Sequence, residues 1–297
     1  MTMRRYFFHM LLCMGVGLCM ACNGAQADKA KKVAAYVMDE MEKAEARQQA
    51  SAKNDNTRGS GLQTADNKAL ELPAPLNNGY DLVLRRKGYT VSYNARTMQP
   101  NWVAWQLTPE RMKGGTDRKN FPFTTDEEVP EPRVEDADYR SSGYDRGHMC
   151  PAGDNKWDAE AMRQSFLFSN ICPQAPGLNR GDWNEMEKAC RKWAEQQGRL
   201  YVVCGPIFYK KSRQRTIGRH RIPVPDAFFK VLLCMTGTPR AIGFIYKNTD
   251  GNRPKGDYAN SVDEVERITG INFFPSLPDE VERKVEAVCD VDSWIGK

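Results

Sequence analysis

Apolar residues along this chain fall into short runs separated by turn formers, and the spacing within the runs changes from one region to the next. Asp81–Leu84, Tyr89–Asn94 and Trp102–Leu107 are strand-length segments divided by Arg/Lys/Gly and Pro-containing breaks, which predicts an N-terminal meander. Leu200–Phe208, Phe228–Met235 and Ala241–Tyr246 predict three further strands. Across Trp183–Gln197, by contrast, Trp183, Met186, Cys190 and Trp193 recur three and four residues apart, and Gly198 follows, so this segment predicts an amphipathic helix with a stop signal. Ala159–Phe168, Ser261–Thr269 and Asp279–Val288 predict shorter helices. Strands and helices do not alternate regularly. The pattern therefore predicts an α+β fold on a largely antiparallel central sheet flanked by helices, not a doubly wound one.

Upstream of Pro73 the pattern is different. Arg4 and Arg5 precede an uncharged, largely apolar stretch from Tyr6 to Ala21 that is too short to span a bilayer, and Ala25-Gln26-Ala27 offers a small-residue cleavage pattern. Residues 1–27 thus carry the features of a secretory signal peptide. Cys22, directly after the apolar run and small Ala21, favours cleavage before it and a lipid anchor on its thiol, as in lipoproteins. Export to a periplasm, a cell surface or the medium is the expectation. Residues 28–72, rich in Ala, Lys, Glu, Gln, Asn and Asp, predict a flexible tether, and Pro73 and Pro75 open a single folded domain over 73–297.

Composition narrows the class without naming a substrate. Hydrophobic residues at 40% and charged residues at 27% exclude a polytopic membrane protein and a wholly disordered chain. The formal charge is +5, and loss of a leader holding two arginines and no acid leaves +3, a small basic excess that permits a polyanionic partner. Six cysteines remain at 150, 172, 190, 204, 234 and 289, enough for three bridges in an oxidising compartment, with buried free thiols as the alternative. With His148 and His220 the only histidines after the leader, a structural zinc site is not expected. Asp126 to Asp138 carries seven carboxylates and reads as a solvated surface segment turned away from phosphate.

The chemistry concentrates between Tyr144 and Arg191. No G-x-S-x-G, Walker A, H-E-x-x-H or kinase motif is present. Instead Tyr144-Asp145-Arg146-Gly147-His148-Met149-Cys150-Pro151-Ala152-Gly153-Asp154 is followed by Ser169-Asn170-Ile171-Cys172-Pro173-Gln174 and by Leu178-Asn179-Arg180-Gly181-Asp182-Trp183-Asn184-Glu185-Met186-Glu187. One histidine, arginines, amide side chains and a helix bearing Glu187 and Arg191 at i,i+4 are the parts phosphodiester hydrolysis needs. A base activates water, cations stabilise charge on the phosphate, and an amide oxygen can ligate Mg²⁺. On these residues alone, His148 as a turn or core histidine remains an open alternative.

Asp145-Arg146-Gly147-His148 resembles the DRGH signature of the DNA/RNA non-specific endonucleases, the ββα-metal or His-Me finger group. Ser169 to Gln174 resembles the family's S-N-x-x-P-Q block, and Leu178-Asn179 through Trp183 and Glu187 resembles its L-N-x-x-x-W-x-x-x-E helix start. Pro206-Ile207-Phe208, Ile222-Pro223-Val224-Pro225 and Phe228-Phe229-Lys230-Val231 extend the resemblance over roughly residues 78 to 276.

The resemblance implies a ββα-metal nuclease fold and a Mg²⁺-dependent, sugar-non-specific endonuclease, with Mn²⁺ able to substitute, that leaves 5′-phosphate and 3′-hydroxyl ends. It implies His148 as general base, Asn179 as the single direct protein ligand of Mg²⁺, and Glu187 as a carboxylate orienting water on the ion. Arg146 and Arg191 would stabilise phosphorane-like charge, Asn170 would support the site by hydrogen bonding, and Asp145 would orient the loop. Arg118 is a looser candidate for a phosphate clamp, and His220 has no assigned role. DNA and RNA are expected as substrates without sequence preference, since backbone contacts read no base. No protein partner is expected. The rival readings are a catalytically inactive nuclease-like module and a secreted nuclease toxin or effector.

Overall fold

A computed structural model describes residues 69–77, 79–209 and 214–295. The expected leader, Cys22 and nearly all of the expected tether lie outside the described residues. Leu70, at the tether's expected end, is buried against the core.

The strands in chain order are β1 (Leu82–Arg85), β2 (Thr90–Asn94), β3 (Gln99–Leu107), β4 (Asp145–His148), β5 (Ile171–Gln174), β6 (Leu200–Ile207), β7 (Thr216–Ile217), β8 (Ile222–Pro223), β9 (Ala227–Cys234), β10 (Arg240–Lys247) and β11 (Ala259–Asn260). The α-helices are α1 (Pro109–Met112), α2 (Asp136–Tyr139), α3 (Ala159–Ser165), α4 (Pro176–Arg180), α5 (Asp182–Gln197), α6 (Val262–Thr269), α7 (Asp279–Glu286) and α8 (Asp292–Ile295). Seven strands form one sheet in the order β1-β2-β3-β6-β9-β10-β11, antiparallel at every pairing. The expected α+β class and antiparallel sheet are both found.

Period-2 alternation explains the layering. On β9, Phe228, Leu232 and Cys234 join a core shared with Trp183, Met186 and Cys190 of α5, while Ala227, Phe229, Val231 and Leu233 join a second core with Val262 and Val265 of α6 and Val285 of α7. Every residue of β6 and β9 is buried because both sheet faces are covered. That is why their sequences are near-continuous apolar runs. Helix α5 ends where Gly198 adopts φ +82°, a left-handed conformation that glycine tolerates best.

One open reading is decided here and one expectation is corrected. The six cysteines are all free, five of them buried as small apolar side chains and Cys289 exposed. The acid-rich segment is not uniformly solvated. Asp126 is 3% exposed and pairs with Arg86 at 2.6 Å, while Asp138 is 1% exposed and meets His220 Nδ1 at 2.8 Å. Burial of an unpaired carboxylate is costly, so these two acids are held by side chains distant in sequence. Asp136, from the same segment, reaches Arg146 at 2.6 Å.

Candidate active site

The site is assembled on β4 and β5, a separate antiparallel pair with His148 opposite Ile171 and Gly147 opposite Cys172, followed in the chain by α4 and α5. Gly147 is required by close approach, because a Cβ there would lie 2.3 Å from Gln174 Oε1 and 2.6 Å from Gln174 Cβ. The strand is tied down beyond its own ladder. Asn170 accepts from the Cys150 backbone N–H at 2.9 Å and donates to the Cys150 and Ser165 carbonyls at 2.9 and 2.8 Å. Trp183, fully buried at the start of α5, donates its indole N–H to the His148 carbonyl at 3.3 Å.

His148, Arg118, Arg146, Lys156, Asn179, Arg180, Asn184, Glu187 and Arg191 line one open cleft of about 700 Å³. Five cationic side chains face it against two carboxylates, Asp117 and Glu187. The small net charge of the chain is therefore focused on one concave surface suited to a polyanion.

His148 stacks edge-on against Phe166 at 5.0 Å and tilts against Phe123 at 5.3 Å. Its Nε2 is buried with no hydrogen-bond partner, so Nδ1 is the ring nitrogen left accessible. Burial, and then the Arg118 charge, push the ring down to about 3, so the imidazole is neutral at physiological pH. The Asn179 amide donates Nδ2 to Asp145 Oδ2 at 3.0 Å, and Asp145 is also gripped by Arg180 at 2.7 and 2.8 Å. Asp145 thus fixes the amide, and Oδ1 is the atom Asn179 has left to offer the cleft. Glu187 is pushed up to about 7 by burial, with Lys230 the main opposing charge.

The arginines differ in their partners. Arg191 is held by buried Asp154 at 3.0 Å and stands 3.9 Å from Glu187. Arg146 pairs with Asp136 and lies over the rings of Phe123 and Tyr139 at 5.6 and 5.4 Å. Arg118 lies 5.8 Å over Phe166 and has no carboxylate partner among the described residues.

Six of the seven candidates therefore meet in the cleft. Asn170 is the exception: fully buried and bound to backbone, it braces the strand carrying His148 by hydrogen bonds and does not line the cleft, so it stands apart from the groups that can meet substrate. Sequence reasoning missed Lys156, Arg180 and Asn184 in the lining, although Arg180 and Asn184 sit inside the quoted motif. It also missed Lys230, which lies 1% exposed on β9 beneath the site, 4.3 Å over Trp183 and 5.2 Å over Trp105.

The donor set fits a hard divalent cation. Asn179 Oδ1 and the Glu187 carboxylate offer oxygen, and among the described residues no group of three acidic, histidine or cysteine ligands lies in the cleft. Sparse oxygen donation suits Mg²⁺, which keeps most of its waters.

A paired strand motif leading into a helix, one histidine among the described residues of the cleft and a cationic lining define a ββα-type phosphodiester hydrolase. The description of the DNA/RNA non-specific endonuclease family matches residues 67–280, and the chain belongs to that family. Human mitochondrial endonuclease G is 34% identical over 205 residues, covering 65% of this chain and 69% of that protein. The mitochondrial nuclease EXOG of Xenopus laevis is 34% identical over 222 residues, covering 69% and 61%. Among solved structures, that of the EndoG/EndoGI complex, which concerns EndoG inhibition, superposes with a TM-score of 0.67 at 27% identity, covering 76% of this chain and 96% of that one. The chain is a metal-dependent nuclease acting on nucleic acid.

These relatives overturn the expectation of export. They are mitochondrial nucleases by name, not proteins of a periplasm or cell surface, and the lipid anchor expected at Cys22 loses its support with that location. An acid-poor, arginine-bearing start is shared by secretory and organelle-targeting leaders, so Arg4 and Arg5 do not discriminate between them.

Proposed function

We propose that the cleft hydrolyses phosphodiester bonds of both DNA and RNA in the presence of Mg²⁺, with Mn²⁺ able to substitute, leaving 5′-phosphate and 3′-hydroxyl ends. The accessible, unpartnered Nδ1 of a neutral His148 within a cation-lined cleft carries this reading. His148 takes a proton from water as the water oxygen bonds to phosphorus; the bond from phosphorus to the 3′ oxygen breaks, and that oxygen leaves as a hydroxyl after protonation. A ring at about 3 is a weak base in the free protein, but the incoming phosphate is anionic and favours the protonated ring, raising its basicity when it is needed.

Asn179 would hold the ion through Oδ1, and Glu187 would accept hydrogen bonds from its hydration shell. Bound there, Mg²⁺ supplies Lewis-acid stabilisation of charge on the phosphate and the leaving oxygen. Arg118, without a carboxylate of its own, clamps the substrate phosphate, while Arg146 and Arg191, oriented by Asp136 and Asp154, present fixed guanidinium groups to the developing charge. Asn170 holds the His148 strand in place. None of these groups is assigned to a base edge, so neither base sequence nor sugar is discriminated.

The test is digestion of plasmid DNA and of ribosomal RNA with Mg²⁺, with and without chelator, followed by end labelling. Both polymers are expected to be cut only with metal, and the new 5′ ends to accept label only after phosphatase treatment. Chelator-insensitive cleavage, or ends that label without phosphatase, would overturn the reading.

A further inference from the structure

On the sheet face opposite α5, three carboxylates converge where α6 meets α7. One oxygen each from Asp263, Glu266 and Glu286 lie within 4.8 Å of one another. Asp263 and Glu266 stand three residues apart on one face of α6, and Glu286 closes α7. Glu286 is only 5% exposed, and its Oε1 is buried with no hydrogen-bond partner. Among the described residues no lysine or arginine forms an ion pair with any of the three. The neighbouring arginines are engaged elsewhere: Arg267 grips Glu264 at 2.6 and 2.8 Å, and Arg283 donates to the Asp279 carbonyl at 3.2 Å. Glu282, one turn before Glu286 on α7, adds further negative potential.

A buried carboxylate oxygen without a donor, facing two more carboxylates, calls for a positive charge that no side chain provides. We propose that Asp263, Glu266 and Glu286 form a second divalent-cation site, of the calcium class, that fastens α6 to α7. Two oxygens on one Ca²⁺ can stand at most about 4.6–5.2 Å apart, twice the usual Ca–O length, so the cluster has the span such an ion accepts. Ca²⁺ is also the ion that takes several protein carboxylates at once in flexible geometry, whereas Mg²⁺ retains its waters. Glu266 Oε1 accepts the Phe273 backbone N–H at 2.7 Å, so the same carboxylate also ties down the segment linking the two helices.

The site is separate from the nuclease cleft, which makes it testable in the whole protein. After chelation and dialysis, Ca²⁺ is titrated calorimetrically and the melting temperature is followed. Saturating Ca²⁺ is expected to raise it by about 5 °C, the scale of occupancy far above Kd in a domain of this size. Asp263→Asn, at an exposed position, is expected to weaken Ca²⁺ binding at least about tenfold, the low end for loss of a metal-site partner. Glu286→Gln should abolish the Ca²⁺-dependent rise and, by removing repulsion, raise the melting temperature of the ion-free protein. Both variants should keep Mg²⁺-dependent nuclease activity, while Asn179→Ala should keep the Ca²⁺ response. Absence of any Ca²⁺ response in the parent protein would assign the cluster to a proton held on Glu286 and overturn the proposal. So would a response unchanged in Asp263→Asn or Glu286→Gln, or one lost in Asn179→Ala.

Discussion

The two faces of the central sheet are made from alternate residues of the same strands, yet they are packed on different terms. On the α6 and α7 side, Phe229, Val231 and Leu233 of β9 meet Phe273, Val265 and Val285, and every β9 residue on that face is apolar. On the α5 side, Phe228 and Leu232 pack just as tightly, but Lys230 sits between them at 1% exposure, beneath Trp105 and Trp183 and near Asp154 and Glu187. Burying those charges opposes folding unless each is partnered. The β9 face turned to α6 and α7 therefore carries stability, and the face turned to α5, with Lys230, carries chemistry at some expense of stability. Truncating Phe229 should open a cavity and cost about 3–5 kcal/mol of stability. Activity per folded molecule should stay at the parental level, because no cleft residue touches that face. Denaturant unfolding followed by a nuclease assay on the folded fraction measures both, and a variant of normal stability but low activity would dissolve the contrast.

The opposite pattern is expected for His148 and Asn179. Each alanine variant should unfold near the parental midpoint yet cleave at least about 100-fold more slowly, the low end for loss of an acid–base group. The two should fail differently. Without Asn179 the missing contact is to the ion, so excess Mg²⁺ or Mn²⁺ should restore part of the rate. Without His148 no added metal replaces the base. Cleavage by His148→Ala at the parental rate under matched metal and salt would remove the base assignment.

How much of this contrast was legible in the sequence follows from what each region is made of. β6, β9 and β10 were found as dense apolar runs because burial on both faces leaves few polar positions to blur them. β4 was not, since Asp145-Arg146-Gly147-His148 has no hydrophobic period; it is a strand because β5 pairs with it and because Asn170 and Trp183 hold its end. The cleft residues were found as types within a motif, but their pairing was not. Asp126 and Asp138 find Arg86 and His220 across 40 and 82 residues of chain, a separation no local pattern encodes. Lys230 in an apolar strand was the one anomaly that could have been noticed, since a lone lysine inside a buried run needs a partner.

Glu187 sharpens the comparison through pH. Burial raises its folded-state value to about 7, above the ordinary carboxylate range, so the protein favours the protonated form. A group raised in this way contributes stability fully present below its unfolded pKa of about 4.3 and lost as pH rises through the folded value. In chelator, Glu187→Gln should therefore melt like the parent at pH 4 and above it at pH 8. The catalytic sign is the reverse: the carboxylate must be ionised to act, so parental activity should fall as pH drops and Glu187 takes up a proton, at a lower pH than in the ion-free protein because a bound cation favours the carboxylate. Melting temperatures of parent and variant that run parallel from pH 4 to 8 would show that Glu187 does not bear this burial penalty.

The smallest expected effect concerns Arg118, the cleft arginine that no carboxylate holds. Arg146 and Arg191 are fixed by Asp136 and Asp154, so removing Arg191 deprives buried Asp154 of its guanidinium and removing Arg146 leaves Asp136 to Arg140, and either loss would mix structural and catalytic consequences. Arg118 lies only against the Phe166 ring, and Arg118→Ala strands nothing. Its effect should therefore be confined to substrate. KM for DNA and RNA should rise, by about tenfold at low salt for loss of one phosphate contact, with kcat changed less. Because one phosphate is no longer neutralised, the slope of log affinity against log salt should become shallower by about one unit, equally for any base sequence. The same variant removes the charge that helps hold His148 down, so the His148 ring should titrate at a higher pH than in the parent. An unchanged salt slope together with an unshifted imidazole, followed by NMR titration, would place Arg118 outside the working cleft and leave phosphate clamping to the two arginines that acids already hold.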